Sequence, residues 1–269
     1  MSFDGRRVLC LESRRSAEMA ELIRKQGGEP FVAPSMRELP VEENAPVFEF
    51  AAKLFAGEFD MMLLLTGVGT RQLNRLLATR YPDNAFADAL RQLTIVARGP
   101  KPVAALRELG LKPAVVAPEP NTWRELLIAI ADRTERRIAV QEYGRSNPEL
   151  LEGLRSRGAE VTSVRVYQYG LPENSEPLRE AARRLASAEF DVAIFTTAVQ
   201  IGNLMQVAEA QGIAAGTLTG LRKAMIASIG PTTTEALEEF GLSPEIEPSH
   251  PKMGFLVREA AERISNGIR

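Results

Sequence analysis

The chain has one cysteine (Cys10) and one histidine (His250) in 269 residues. A lone cysteine closes no internal disulfide, and one histidine with one cysteine cannot build a zinc site of several such ligands, so no metal is expected. An excess of charge of one sign is missing too, with 33 Lys and Arg against 35 Asp and Glu and a net charge of -2. General nucleic-acid binders carry a basic excess that displaces phosphate counterions, so no nucleic-acid partner is expected and any anionic ligand must be met by local donors. No apolar run approaches about 18 residues, and the opening residues are polar and lead straight into a strand. The expectation is a cytoplasmic protein with neither a membrane span nor an export signal. What is present is an ordinary globular composition, 45% hydrophobic and 25% charged, in a length that suits about two domains.

One pattern occurs twice. Glu58, Phe59 and Asp60 precede an apolar run, and Glu189, Phe190 and Asp191 precede another 131 positions later. At the same spacing Gly99-Pro100 matches Gly230-Pro231, Gly110-Leu111 matches Gly241-Leu242, and Pro113 matches Pro244. Within one residue of that spacing, Arg6-Arg7-Val8 through Arg15 parallels Arg136-Arg137-Ile138 through Arg145. Such self-similarity over several elements is the mark of a duplication. Each copy alternates short apolar runs of β type with amphipathic stretches of period 3.6, which predicts five strand-helix units around a parallel sheet. Strands are expected near residues 7–11, 30–33, 61–65, 94–97 and 114–116, and again near 138–141, 161–166, 192–195, 224–229 and 245–247. Pro100 and Pro231 start helices that Gly110 and Gly241 stop. The fold class is therefore α/β, two flavodoxin-like lobes with parallel five-stranded sheets in the order 2-1-3-4-5. A contiguous division would cut near Thr134; a discontinuous one would use the proline-spaced segments 34–40 and 168–172 as crossings.

In open parallel sheets ligands bind outside the carboxyl ends of the strands. Six turns there combine Gly, Ser or Thr with helix starts, at residues 12–16, 66–70, 98–101, 142–147, 196–200 and 230–234. Unpaired amides at helix starts, with the positive end of the helix dipole, suit a carboxylate or phosphate; the same residues also serve simply as caps. Gly67 and Gly69 open a dinucleotide-like pattern, but its third position is Gln72, too large for close helix-sheet packing, and no GxxxxGK[ST] phosphate loop is present. His250 lies between Ser249 and Pro251 with no G-x-S-x-G elbow to partner it. Tyr143 and Tyr167 remain at or beyond strand ends. Tyr167, at the second crossing, is the candidate proton donor to a leaving hydroxyl, although a ring packed at a hinge explains it as well. Arg14, Arg15, Arg98, Lys101 and Arg145 are turn cations, suited to carboxylates or simply solvated.

The order of these features resembles the uroporphyrinogen-III synthase family over the whole chain. Its carriers are Arg7-Val8 followed by Arg14-Arg15, Phe59-Asp60 with Thr66-Gly67-Val68-Gly69, Ala97-Arg98-Gly99-Pro100-Lys101, and Val166-Tyr167. The second copy adds Phe190-Asp191, Phe195-Thr196-Thr197, Ile229-Gly230-Pro231-Thr232-Thr233 and Ala236-Leu237. Many members have Thr-Ser where this chain has Thr66-Gly67, and Val-Gly where it has Arg98-Gly99, as in a bacterial subgroup. The resemblance implies two lobes joined by a two-stranded connector, each copy's first strand-helix-strand belonging to the opposite lobe, with residues 1–34 and 171–269 in lobe one and 35–170 in lobe two. It also implies a cofactor-independent lyase that closes hydroxymethylbilane, with loss of water, through an azafulvene cation and a spiro intermediate that inverts the last pyrrole. Tyr167 would be the catalytic acid. Substrate carboxylates would be held by Arg14, Arg15, Thr66, Gly67, Val68, Gly69, Arg98, Gly99, Lys101, Tyr143, Gly144, Arg145, Thr197, Ala198, Val199, Gln200, Gly230, Thr232 and Thr233. A monomer that receives its substrate by hand-over from the bilane-producing enzyme fits the same reading. The alternative is a non-catalytic tetrapyrrole- or anion-binding regulatory module.

Overall fold

The structure, a computed structural model, describes residues 2–40, 45–142 and 146–267. Its strands are β1 (Arg7–Cys10), β2 (Glu29–Val32), β3 (Arg37–Pro40), β4 (Met61–Leu64), β5 (Thr94–Ala97), β6 (Val115–Val116), β7 (Arg137–Glu142), β8 (Glu160–Arg165), β9 (Tyr167–Gly170), β10 (Val192–Phe195) and β11 (Met225–Ser228). Helices connect most of them. The chain divides into two units, residues 1–37 with 170–269 and residues 38–169.

The first unit holds a parallel sheet in the order β2-β1-β10-β11. The second holds a parallel sheet in the order β8-β7-β4-β5-β6. Once the opening strand pair of one copy is joined to the last strands of the other, the second sheet has the flavodoxin-like order 2-1-3-4-5 and the first its leading part, 2-1-3-4. Strands β3 and β9 pair with each other where the chain passes from one unit to the other. Met61–Leu64 and Val192–Phe195 are buried at every position, as continuous apolar strands covered by helices on both faces must be. Alternate residues feed opposite layers: Leu9 and Phe195 pack on one side of the first sheet, Val8, Cys10 and Ile194 on the other. In the second sheet Met62 and Leu64 face one layer, Met61 and Leu63 the other.

The expected fifth strand of the first unit, near 245–247, is a correction: only an isolated bridge, Ala227 to Ile246, forms there. Pro244 and Pro248 flank it, and neither has an N–H for a ladder, so pairing stops after one residue. The matching strand β6 is only two residues long, between Pro113 and Pro118.

Repeated sequence produces repeated devices. The helix Pro100–Glu108 ends with Gly110 at φ 69°, where Gly110 N donates to Arg107 O and Leu111 N to Leu106 O. The helix Pro231–Glu238 ends with Gly241 at φ 68°, Gly241 N donating to Glu238 O and Leu242 N to Leu237 O. Both are Schellman stops, whose left-handed residue is a glycine because a Cβ is disfavoured there. At the amino ends of the central strands, Asp60 Oδ2 accepts from Arg137 N at 3.0 Å and Asp191 Oδ2 accepts from Arg7 N at 2.9 Å. Each aspartate thus ties the strand it precedes to the neighbouring strand from the other copy.

The Arg137 guanidinium also grips Asp60, and together with the backbone bond it lowers the Asp60 carboxyl from 3.8 to about 2. A carboxyl depressed in the folded state stabilises above its unfolded pKa and loses that contribution as pH falls through the folded value. Asp60→Asn should therefore lower the melting temperature near pH 7 and flatten its decline between about pH 4 and about pH 2. Parallel melting curves for variant and parent across that window would contradict the assignment.

Candidate functional site

The turn after β4 starts the helix Gly67–Ala78, capped by Thr66, whose Oγ1 accepts from Gly69 N at 3.0 Å. The Thr66 backbone N–H donates to Gln141 Oε1 at 3.3 Å, and Thr66 Oγ1 lies 3.2 Å from the Tyr167 hydroxyl. Tyr167 is 1% exposed, with its ring edge-on to Tyr169. Burial, aided by Tyr169, pushes the phenol well above its ordinary range against the opposing Thr66 bond, so the group is a neutral O–H at any working pH. Gly67 and Gly69 are glycines for packing reasons. A Cβ at Gly67 would sit 2.5 Å from Lys101 O, and one at Gly69 would sit 1.9 Å from Gln141 Nε2. Gly99 is equally constrained, since its Cβ would meet the Asn121 side chain at 2.7 Å. Arg98 is partly exposed and ties back through its N–H to Leu64 O, while Lys101 is exposed in the first turn of its helix.

The first unit holds its turns by similar means. Glu12, just past β1, accepts from Arg14 N at 2.9 Å and Arg15 N at 3.2 Å through one oxygen and from Thr196 Oγ1 through the other. Gln200 is fully buried: its Oε1 accepts from Thr196 N and Thr197 N, and its Nε2 donates to Leu11 O and Thr196 Oγ1. Ser13 Oγ accepts from Ser35 N and Met36 N, and Asn203 Nδ2 donates to Ser35 O, which fixes the segment leaving this unit. The helix Val199–Ala210 begins just beyond, with Thr197, Ala198 and Val199 partly exposed. Gly230 starts the helix Pro231–Glu238, where Thr232 is partly exposed and Thr233 is buried.

Several expected contacts thus face inward. Gln200, Gly67, Gly69, Gly99, Gly230 and Thr233 are buried, and Arg15 is engaged in an exposed pair with Glu18. Of the expected contacts, Thr66, Val68 and Arg98 in one unit and Thr197, Ala198, Val199 and Thr232 in the other are partly exposed, and Arg14 and Lys101 are exposed. Tyr143, Gly144 and Arg145 lie outside the described residues. Sequence reasoning missed Gln141 and the buried pair Glu12 and Glu142. The signal was there, since Glu12 and Glu142 occupy matching places in the repeat, and Glu142 Oε1 accepts from Ser146 Oγ and Asn147 N much as Glu12 holds its own turn. Cys10 is buried, which pushes its thiol up to about 12 and leaves no nucleophile. Among the described residues no group of His, Cys, Asp and Glu could hold a metal ion, and no helix is long and apolar enough to cross a membrane.

Two α/β units with parallel sheets and repeated turn and cap devices define a duplicated, doubly wound architecture. Comparison with known proteins narrows it. A family model described as uroporphyrinogen-III synthase HemD matches residues 17–258. A Bacillus subtilis (strain 168) protein named Uncharacterized protein YjjA is 30% identical over 266 residues, 96% of each chain. A putative uroporphyrinogen-III synthase of Methanothermobacter thermautotrophicus is 30% identical over 232 residues, 85% of this chain and 87% of that one. A mutant uroporphyrinogen III synthase from the extremely thermophilic bacterium Thermus thermophilus aligns with a TM-score of 0.71 at 26% identity, covering 98% of this chain and 100% of that one. The chain belongs to the uroporphyrinogen-III synthase family.

Thr66→Val removes a helix cap and one hydrogen bond of a buried phenol. Each is worth about 1 kcal/mol, so urea unfolding should show a loss of about 2 kcal/mol. A loss below about 0.5 kcal/mol would mean that the cap and the Tyr167 contact contribute little to stability.

Proposed function

We propose that this chain is a uroporphyrinogen-III synthase: it closes hydroxymethylbilane with loss of water and inversion of the last pyrrole ring. The observation that carries the reading is the likeness, over almost the whole chain, to a synthase of that name. The site supports it. A linear tetrapyrrole with acetate and propionate arms needs many anion contacts, and each unit by itself carries helix starts of the kind that meets carboxylates without a basic surface, at Val68 in one and at Ala198, Val199 and Thr232 in the other. The chain's net charge of -2 fits this way of meeting an anionic substrate.

In the reaction the terminal C–O bond breaks as its hydroxyl takes a proton and leaves as water. The substituted carbon of the last pyrrole then attacks the azafulvene carbon, and the spiro intermediate reopens and recloses before rearomatisation returns a proton. Tyr167 is the proton donor, and its neutral phenol is in the form an acid requires. Its proton passes through Thr66 Oγ1, because Tyr167 is buried and Thr66 is partly exposed. The remaining task is positioning, since spontaneous closure joins the unsubstituted position and gives the type I isomer; holding the chain folded favours attack by the substituted carbon. Substrate arriving by hand-over from the bilane-producing enzyme, action as a monomer and a cytoplasmic location belong to the same reading.

Incubation with freshly generated hydroxymethylbilane, followed by oxidation and separation of uroporphyrin isomers, tests it. Type III product above the spontaneous background is expected; type I alone from folded protein would leave the turns to a non-catalytic anion-binding module. In the same assay Tyr167→Phe should reduce the type III rate by about 100-fold, in the range of a general acid, with the circular dichroism spectrum unchanged. An unchanged rate would remove the acid role.

A further inference from the structure

We propose that one buried carboxamide per unit sets the conformation of the strand-to-helix turn that grips the substrate, and that Gln141 is the positioning residue for the turn at Thr66. The inference rests on the synthase reading for what the turn grips, but its geometry stands apart from it. In the repeat, Thr66 corresponds to Thr197, Gly69 to Gln200, and Gln141 to Leu11. In the first unit the carboxamide comes from the helix: Gln200 Oε1 accepts from Thr197 N at 3.2 Å, and its Nε2 donates to the carbonyl of Leu11 at 3.0 Å. In the second it comes from the strand: Gln141 Oε1 accepts from Thr66 N at 3.3 Å, and its Nε2 donates to the carbonyl of Glu142.

The two sources exclude each other. Both glutamines are 0% exposed, and the Gln141 side chain fills the space where a Cβ at position 69 would stand, 1.9 Å from Nε2 and 2.4 Å from Cδ. A glutamine at 141 therefore requires glycine at 69, whereas leucine at 11 leaves room for glutamine at 200. The sheet and helix positions have traded residues while the amide oxygen still meets the same threonine N–H. A group kept at one place by two different routes points to the place, and that place is the turn. With its N–H held, Thr66 keeps its hydroxyl oxygen for Gly69 N and in contact with the Tyr167 hydroxyl.

The test moves the carboxamide. Gln141→Leu should speed hydrogen exchange at the Thr66 amide at least tenfold and raise KM for hydroxymethylbilane at least tenfold. The double variant Gln141→Leu with Gly69→Gln copies the first unit's arrangement, and should bring both quantities back to within about threefold of the parent. A role in stability alone predicts no such return of KM. Gly69→Gln with Gln141 retained has no room for its side chain and should not fold normally. If Gln141→Leu itself fails to fold, folding of the double variant is the expected rescue. The proposal is overturned if Gln141→Leu leaves exchange and KM at parent values, or if the double variant is no better than Gln141→Leu. Should the parent yield only type I product, the synthase reading fails, while exchange at Thr66 still decides the role of Gln141.

Discussion

The pairing of β1 with β10 and of β4 with β7 is the interaction on which the rest depends. Val8 lies opposite Val192 and Met61 opposite Ile138, so each sheet is joined at its centre by strands from different copies of the repeat. Remove that seam and the first unit is left with two separate strand pairs, each with an unpaired edge where the other had been. The aspartates Asp60 and Asp191 stand at the amino ends of these seams and hold the adjoining amides of Arg137 and Arg7. Chain entropy opposes a contact between residues 184 apart, and only a strand buried on both faces returns enough on closure to offset it.

Much of this was legible in the sequence because the signals were local and repeated. Apolar runs such as 61–65 and 192–195 are too short for helices and bounded by turn residues, and proline before and glycine after the helices marked their ends. What was not legible was how far pairing runs. The residues around Ile246 read as a strand because alternation was all that composition showed, whereas the flanking prolines limit the ladder to one bridge. Pattern reports which face is apolar; hydrogen-bond supply decides length.

The turns show a similar division. Their glycines and threonines were visible, and the family resemblance drew attention to them, but type and spacing do not tell which atoms face out. Gln200 reads as a polar residue at a binding turn and is in fact wholly enclosed. Gly69 reads as one position of a nucleotide-type motif, yet its lack of a side chain serves Gln141, 72 residues further along. Neither fact could come from the turn's own residues, because the partner lies on another strand. Comparing the two copies position by position would have exposed both, since a polar residue lost at one place and gained at a neighbouring place indicates one group reached from two sides.

The supply of hydrogen bonds also explains why polar side chains are enclosed at these turns. At the carboxyl ends of parallel strands the chain has just left a fully bonded ladder, and the first helical amides have no partner within their helix. Glu12 and Glu142 each satisfy part of that demand at one turn, while Gln141 and Gln200 satisfy it at another. Val68, Ala198 and Val199 stand at such helix starts and are partly exposed. Tyr167, like the two glutamines, is enclosed: its hydroxyl lies 3.2 Å from Thr66 Oγ1, and burial holds the phenol in its neutral form.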